Sequence, residues 1–546
     1  MITCLACLLA AFVEVPAFTD TNAWKVVNYL DHLSVVRDFR TEEGRSCVQV
    51  HGKGPDDTAF SLRSPVLSLP ADAVELAISV DVAATRTLKI GSGTEMSRIW
   101  WWGEHGERIS NEVLAVVMPA TRSFGRVTDA FRVPNGARRV SFWLGFNYPH
   151  LGGEDWVRYR DVTVETSNRA GAFTRRVVIP KRPDYRSGLP PSPLLRDDGV
   201  ALVDGRPFFP IGVFGMTTIP FNGESYDTAF EQLGAAGFNF GHTYNYPAPA
   251  AFLTAAEKHG FRVCTTVKTP PHPAILAWYL ADDTSDRLQP EQLLSAQADI
   301  RARDPSRLTC NADSVEARGL ADYGHTLHSD YVNGSDVFMP EIYPVHGVAG
   351  DPSDATCVKK VIHTMDLVRR DHARFGDGNP RAVWPLLQAF AIGGDKTWGH
   401  FPSKEQLRAM AFAAVIHGAT GIIWYDYGRG NPGNQGVTST PERWKTVGKL
   451  ATCLKVLSPV LTARTPAEQP VSSSGDVTCL LKRWEGSTYL LTVNSSTNDV
   501  RTTIRRLPVC GPAEVLWEHR QVQTAGGCLT DGFGGFGAHV YRWRGE

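Results

Sequence analysis

Neither sign of charge is in excess in this sequence: 56 Lys and Arg stand against 57 Asp and Glu over 546 residues. There is also no polybasic run, which argues against a nucleic-acid backbone or an anionic membrane as the main partner and points to a neutral one. Long apolar runs are missing outside the N-terminal segment, so no stretch approaches the roughly 20 residues of a membrane span. Metal signatures are missing as well. The ten cysteines are scattered, the one CxxC is Cys4–Cys7 near the start, and neither an HxH pair nor an HExxH helix occurs, so no metal and no organic cofactor are expected. Cys510 and Cys528 can be read as a C-terminal disulfide or as buried free thiols. No Lys or Arg precedes Lys25. The apolar run Leu5 to Val13, followed by Val15-Pro16-Ala17, therefore reads as a degenerate leader over residues 1–22, and the expected location is secreted or periplasmic. No repeat of fixed period is present.

What the chain does hold is ample apolar material, 42% of residues, in a length that one core rarely organises, so several domains are expected. Fourteen Trp, fifteen Tyr and twenty-five Phe supply flat faces that suit either sugar stacking or β-sandwich cores. The rhythm changes twice. Residues 23–175 show short alternating runs such as VELAISVDV and RRVSFWLGF between turn signals, the pattern of an antiparallel β-sandwich. Among its aromatics, Trp100, Trp101, Trp102 and Trp143 are candidate glycan platforms, of which alternation sends about half into the core. Residues 176–200, with SGLPPSPLLRDDG, read as a Pro-rich linker. Residues 201–462 alternate apolar strands with helical periods over the length of a (β/α)8 TIM barrel, and residues 463–546 return to β style as a C-terminal β-sandwich.

Eight strands can be counted in the middle part: FFPIGVFG, FNFGHTYNY, FRVCTTVK, ILAWYLADD, RLTCNAD, SDVFMPEIYPV, AVWPLLQAF and TGIIWYDYG. The connection TPPHPA leaves little room for a third helix. Barrel active sites lie at the C-terminal ends of the strands, which gathers Asp282 and Asp283 from strand four, His242, Tyr244 and Tyr246 from strand two, and Glu341 and Tyr343 from strand six. Gln388 from strand seven and Trp424, Asp426 and Tyr427 from strand eight join them. Two carboxylates from different strands among aromatic rings are the minimum apparatus for cutting a glycosidic bond, one protonating the leaving oxygen while the other attacks or activates water. A single Asp at a strand end is otherwise a helix cap or an ion-pair partner.

These residues also carry a resemblance. HPAILAWYLADDTSD resembles the HPALLGWYLADEP segment of bacterial glycoside-hydrolase-like (β/α)8 proteins related to clan A, the broad group containing β-galactosidases, cellulases and β-glucanases. FFPIGVFG, DVFMPEIYPV, LLQAF, LRAMAFAAVIHGATGIIWYDY and the tail LTDGFGGFGAHVYRW follow the same order over most of residues 207–546. The N-terminal region is similar in shape to the jelly-roll carbohydrate-binding modules found beside such barrels. The resemblance implies a glycosidase whose acid is the Glu of DEP, a position held here by the shorter Asp283. It also implies a nucleophilic Glu at the end of strand seven, where this chain has Gln388. The expectation is therefore a glycoside hydrolase acting on a poly- or oligosaccharide, with Asp283 as general acid, Glu341 as nucleophile or base, and Asp426 in reserve. Asp282, His242, Tyr244, Tyr343, Gln388, Trp424, Asp426 and Tyr427 are expected to bind substrate. The alternatives are a catalytically inactive glycan-binding barrel and, less supported, a metal-dependent barrel hydrolase.

Overall fold

The computed structural model describes residues 11–28, 35–42, 44–52, 58–85, 97–114, 122–148, 156–174, 184–216, 225–315, 328–346, 352–392, 398–428 and 434–544. They form two compact units, one within Met1–Asp184 and the other made of Tyr185–Glu316 and Thr326–Glu546. Cys4 and Cys7 lie outside the described residues.

The first unit is a sandwich of two six-stranded antiparallel sheets. Alternation builds it: Val48, Val50, Leu62, Ile99, Trp101, Val140, Phe142 and Tyr159 point inward around the fully buried Trp24. The segment expected as a leader takes part from residue 11 onward. Ala11–Val13 pairs with the strand Trp156–Ser167, Phe18 stacks near Trp24 at 4.6 Å, and the Trp24 indole donates to the Pro16 carbonyl. A cut after Ala17 would remove the strand pairing and the Pro16 acceptor.

In the second unit eight parallel strand positions close on themselves. We number them β1 (Ile211–Val213), β2 (Phe240–His242), β3 (Arg262–Thr266), β4 (Ile275–Ala281), β5 (Leu308–Asp313), β6 (Val337–Ile342), β7 (Ala382–Val383 and Leu386–Gln388) and β8 (Ile422–Tyr425). The ring is complete because β1 pairs with both β2 and β8, β5 with β6, and β7 with β8. These are the eight strands read from the sequence, and β3 leads to β4 with no helix between. The intervening helices start where the sequence offers caps. Ser225 accepts from the Thr228 amide, Ser403 and Gln406 form a reciprocal capping box, and Pro441 follows the capping Thr440; each satisfies amides that a helix start leaves orphaned.

From Tyr185 on, the Pro-rich segment expected as a linker packs on the barrel. Asn333 donates to the Tyr185 carbonyl, Arg301 to that of Pro190, and the hairpin Ala201–Val203 with Arg206–Phe208 follows. Leu195 and Ala201 share the apolar cluster inside the barrel with Phe240, Met339, Leu386 and Ile423, so this segment plugs the N-terminal end. The C-terminal β-region is a single antiparallel path of eight strands. One face, with Leu481, Leu490 and Ile504, makes its own core. Leu480, Tyr489, Leu491 and Val540, of opposite parity, join the cluster of the barrel helices. Lys482 seals that junction by donating to the Leu461 and Ala463 carbonyls at the end of the last helix, where a cation offsets the helix dipole. Cys510 and Cys528 are unpaired thiols, one exposed and the other half-buried, so neither the disulfide nor the fully buried pair holds. No helix among the described residues is long and apolar enough to cross a membrane.

His328 is the weak point of this core. It is buried against Phe338 at 3.8 Å, and neither ring nitrogen has a hydrogen-bond partner among the described residues. Burial, and then the neighbouring His372, hold it well below the usual histidine value of 6.5. The unfolded chain therefore takes up a proton below about pH 6.5 that the folded chain refuses, and stability present above that pH falls as acid is added. Denaturant titrations should show a loss of up to about 1.4 kcal/mol per pH unit from this group. His328→Phe should flatten that slope; an unchanged slope would place the acid sensitivity elsewhere.

Candidate active site

The inward parity of the strands decides which side chains reach the C-terminal mouth. On β6, Val337 and Met339 lie in the interior cluster while Phe338 and Ile342 pack outward on helices, so Glu341 and Tyr343 continue the inward series. On β8, Ile423 and Tyr425 face in and Ile422 and Trp424 face out. Strand β4 departs from alternation: its register against β5 shifts between Tyr279 and Ala281, and Asp283 has a left-handed backbone, φ 44°. Two adjacent acids, Asp282 and Asp283, can then both line one cavity. Tyr244, across the same cavity, is also left-handed, φ 58°. Such a backbone costs a non-glycine residue roughly 1–2 kcal/mol, and strain of this kind collects at functional sites.

The cavity measures about 200 Å³ and is walled by Phe214, Tyr244, Asp282, Asp283, Glu341, Tyr343, Phe390, Ile392, Trp398 and Tyr425. Asp282 is held from two sides. The Tyr279 hydroxyl donates to Asp282 Oδ1 at 2.7 Å and Asn245 Nδ2 to Oδ2 at 3.3 Å. Asp283 is more open, with 41% of its side chain exposed, and pairs with Arg287 at 3.2 Å. Arg287 also approaches Asp282 at 3.6 Å. Partial burial pulls the Arg287 value down, yet the two aspartates outweigh it and hold it above the usual arginine value. The turn after the acids is pinned: Thr284 donates to the Ala312 carbonyl and accepts from Asn311, and the Ser285 amide donates to Asp313. Burial foremost, then nearby carboxylates, push the tyrosine hydroxyls up. Asp282 acts on Tyr244 and Tyr279, Glu341 on Tyr343, and Asp426 with Asp282 on Tyr425. All four therefore remain neutral hydrogen-bond donors.

Five of the expected site residues line this cavity: Asp282, Asp283, Glu341, Tyr244 and Tyr343. Five others do not line it. His242 is buried under the floor, stacked on Phe214 at 4.1 Å and edge-on to Tyr279 at 4.4 Å, its Nδ1 accepting from the Tyr244 amide. Gln388 is occupied by the Val345 backbone, donating to its carbonyl and accepting from its amide. Trp424 has the outward parity of β8 and packs edge-on to Phe238. Asp426 is buried behind Gly215 and Gly436, and Tyr427 sits in the outer core with its carbonyl bonded to Thr438. Tyr246 is exposed, 6.3 Å from Tyr244. The sequence reading missed Phe214, Phe390, Ile392, Trp398, Tyr425 and the partner Arg287. Parity along β1 and β8 was the available signal for Phe214 and Tyr425; Trp398 lies beyond any strand register. Among the described residues no cluster of His, Cys, Asp and Glu is arranged to hold a metal.

A closed (β/α)8 barrel with an acidic, aromatic-walled cavity at its C-terminal end defines the class of this protein. No family profile matches the chain, and no curated protein does. Solved structures similar to it include an Anoxybacillus α-amylase, 11% identical, covering 62% of this chain and 97% of its own, with TM-score 0.42. A structure named only as a glycoside hydrolase is 12% identical over 64% of this chain and 96% of its own, TM-score 0.43. A GH2 β-galacturonidase from Eisenbergiella tayi, bound to galacturonate, is 13% identical over 79% and 98%, TM-score 0.36. At such scores the likeness carries no argument, and the barrel rests on its own strand pairings.

The parity assignment has a direct test in chemical denaturation. Trp424→Ala should cost about 3–5 kcal/mol, the loss of a buried indole, while Tyr425→Phe, which removes a hydroxyl at the cavity, should stay within about 1 kcal/mol. The reverse ranking would show that β8 presents its other face to the site.

Proposed function

We propose that the protein is a glycoside hydrolase that cleaves a glycosidic bond of a poly- or oligosaccharide with a carboxylate pair drawn from β4 and β6. The observation that carries this reading is the meeting of Asp283 and Glu341 in one aromatic-walled cavity. Strand β7 ends in Gln388, an amide engaged with Val345, so the second acid has to come from elsewhere, and Glu341 supplies it.

The roles follow from charge, and they exchange those expected from the DEP-like motif. Arg287 beside Asp283 favours its ionised form, which suits a base that activates water. Glu341 then acts as the acid that protonates the leaving oxygen. Asp282, tethered by Tyr279 and Asn245, orients a sugar hydroxyl, as do the neutral hydroxyls of Tyr244, Tyr343 and Tyr425; Phe390 and Trp398 offer faces to the ring C–H groups. A base acting through water implies inversion at the anomeric carbon and a carboxyl separation of about 6.5–9.5 Å. Secretion or export to the periplasm fits a polysaccharide substrate.

A catalytically inactive glycan-binding barrel is the second reading, and the same Arg287 pair favours it, since a carboxylate tied to a cation can be a structural remnant. Incubating the whole protein with a panel of polysaccharides, with products read by mass spectrometry, separates the two. The hydrolase reading expects released sugars, and turnover lowered about 10²–10⁴-fold by either Asp283→Asn or Glu341→Gln. NMR should show the first-formed anomer inverted. Binding to a glycan that is never cleaved would establish the second reading, and full activity in both variants would remove this pair from the mechanism.

A further inference from the structure

The cavity at the barrel mouth is lined by three carboxylates, Asp282, Asp283 and Glu341, and among the described residues by no lysine, arginine or histidine. Arg287 reaches two of these acids, at 3.2 Å from Asp283 and 3.6 Å from Asp282. In the division of labour proposed above, Glu341 carries the proton for the leaving oxygen and Asp283 stays ionised beside Arg287. Asp282 is then an acid with no part in bond breaking, and its charge is the one left over. It is buried, and the Tyr279 hydroxyl and the Asn245 amide that hold it are neutral donors, which fix its position without cancelling its charge. The surrounding phenols register that field: after burial, the neighbours that push the hydroxyls of Tyr244, Tyr279, Tyr343 and Tyr425 up are acids, and Asp282 acts on all four.

The rest of the wall is aromatic, and it is bent. Phe390 meets Tyr343 at 89° and Tyr425 at 81°, with centroids 5.2 Å apart in both pairs, and Trp398 at 55° and 5.8 Å. Tyr343 and Tyr425 are 5.3 Å apart and tilted by 38°. A neutral pyranose stacks on one flat platform. Rings set at angles around one small volume instead offer several electron-rich faces to it, the arrangement that attracts a cation. Among the described residues no group of acids is arranged to hold a metal ion, so the match is an organic cation. In a cavity of about 200 Å³ that is read as a sugar site, an amine carried on a sugar ring meets both demands. The even charge of the whole chain conceals this local excess of acid.

We infer that the sugar taken by this cavity is an amino sugar with a free, protonated amino group, its ammonium paired with Asp282 and covered by the Tyr343, Phe390 and Tyr425 rings. The inference rests on the reading of this cavity as a sugar site and adds the substrate class, the ammonium taking the place of the hydroxyl at Asp282. N-Acetylation removes the charge and with it the match.

Ligand-observed NMR titration of the full chain with methyl glycosides measures binding without requiring cleavage. Both anomers of methyl glucosaminide and methyl galactosaminide are compared with the matching glucosides, galactosides and N-acetyl forms. In at least one anomeric series the amine should bind at least about tenfold, or 1.4 kcal/mol, tighter than its hydroxyl and N-acetyl counterparts, and the preference should shrink as salt is raised. Asp282→Asn should erase the preference. If that variant does not fold, Ile392→Lys, which sets a cation in the cavity wall from a half-buried position, should erase it instead. No preference for the amine in any series, or a preference that survives in the folded variant, overturns the inference. Cleavage of neutral glycans by a chain without amine preference removes the inference and leaves the hydrolase; amine preference with no cleavage of any glycan, chitosan included, supports the inference and moves it to the glycan-binding reading.

Discussion

The floor of the barrel mouth and the placing of Glu341, Tyr343 and Tyr425 depend on one geometric constraint, the period of two along parallel strands that close on themselves. Closure gives each strand a single inward set, and the inward sets have to fill the lumen from bottom to top. At the bottom Leu195 and Ala201 enter from the preceding segment; above them come Phe240, Cys264, Cys310, Met339, Leu386 and Ile423. Higher still, His242 is packed against Phe214 and Tyr279. The last inward positions, Glu341, Tyr343 and Tyr425, line the cavity, with Phe390 packed edge-on to both tyrosines. The chemistry of the site is thus the upper end of a packing sequence, and the buried layer beneath holds its floor.

Charge is managed differently at the two ends. Near the N-terminal end Asp336 is almost wholly buried and its demand is met in full: Arg301 pairs with it at 2.7 Å, and the Thr309 amide and hydroxyl both donate to it. Removing one partner of such a pair leaves a buried charge uncompensated, which costs several kcal/mol. At the mouth two of the three carboxylates, Asp282 and Asp283, share one arginine that is itself half exposed. Asp282 is anchored by phenol and amide donors, while Asp283 and Glu341 border open volume. This uneven distribution of negative charge, held by a pinned turn and two left-handed residues, gives two carboxylates different environments, the condition for dividing acid from base work.

The fold was legible because most barrel strands are short apolar runs separated from the next by a helical period, some with a clear cap as at Ser225 and Ser403. The site was legible only in part. Asp282, Asp283, Glu341, Tyr244 and Tyr343 were found because strand ends point to the mouth. Strand β8 misled because WYDY offers no alternation of polar and apolar residues, so the inward Tyr425 was passed over for Trp424, Asp426 and Tyr427. His242 and Gln388 are polar residues at strand ends whose hydrogen bonds are consumed by local backbone, a pairing with Tyr244 and Val345 that only three dimensions reveal. Phe390, Ile392 and Trp398 come from the connection after β7, where strand register gives no guide. Residues 11–22 combine an apolar run with a small-residue pattern, and both a leader and an edge strand satisfy that description.

The central claim is that Arg287 keeps Asp283 ionised while Glu341 carries the proton. Titration of the whole protein with ¹³C-labelled Asp and Glu carboxyl groups, assigned through single Asp283→Asn and Glu341→Gln substitutions, reads each protonation state directly. The account predicts that Glu341 remains protonated to higher pH than Asp283, and that the gap narrows when Arg287 is replaced by Gln. An Asp283 carboxyl that holds its proton to higher pH than Glu341 would contradict it and return the acid role to strand β4.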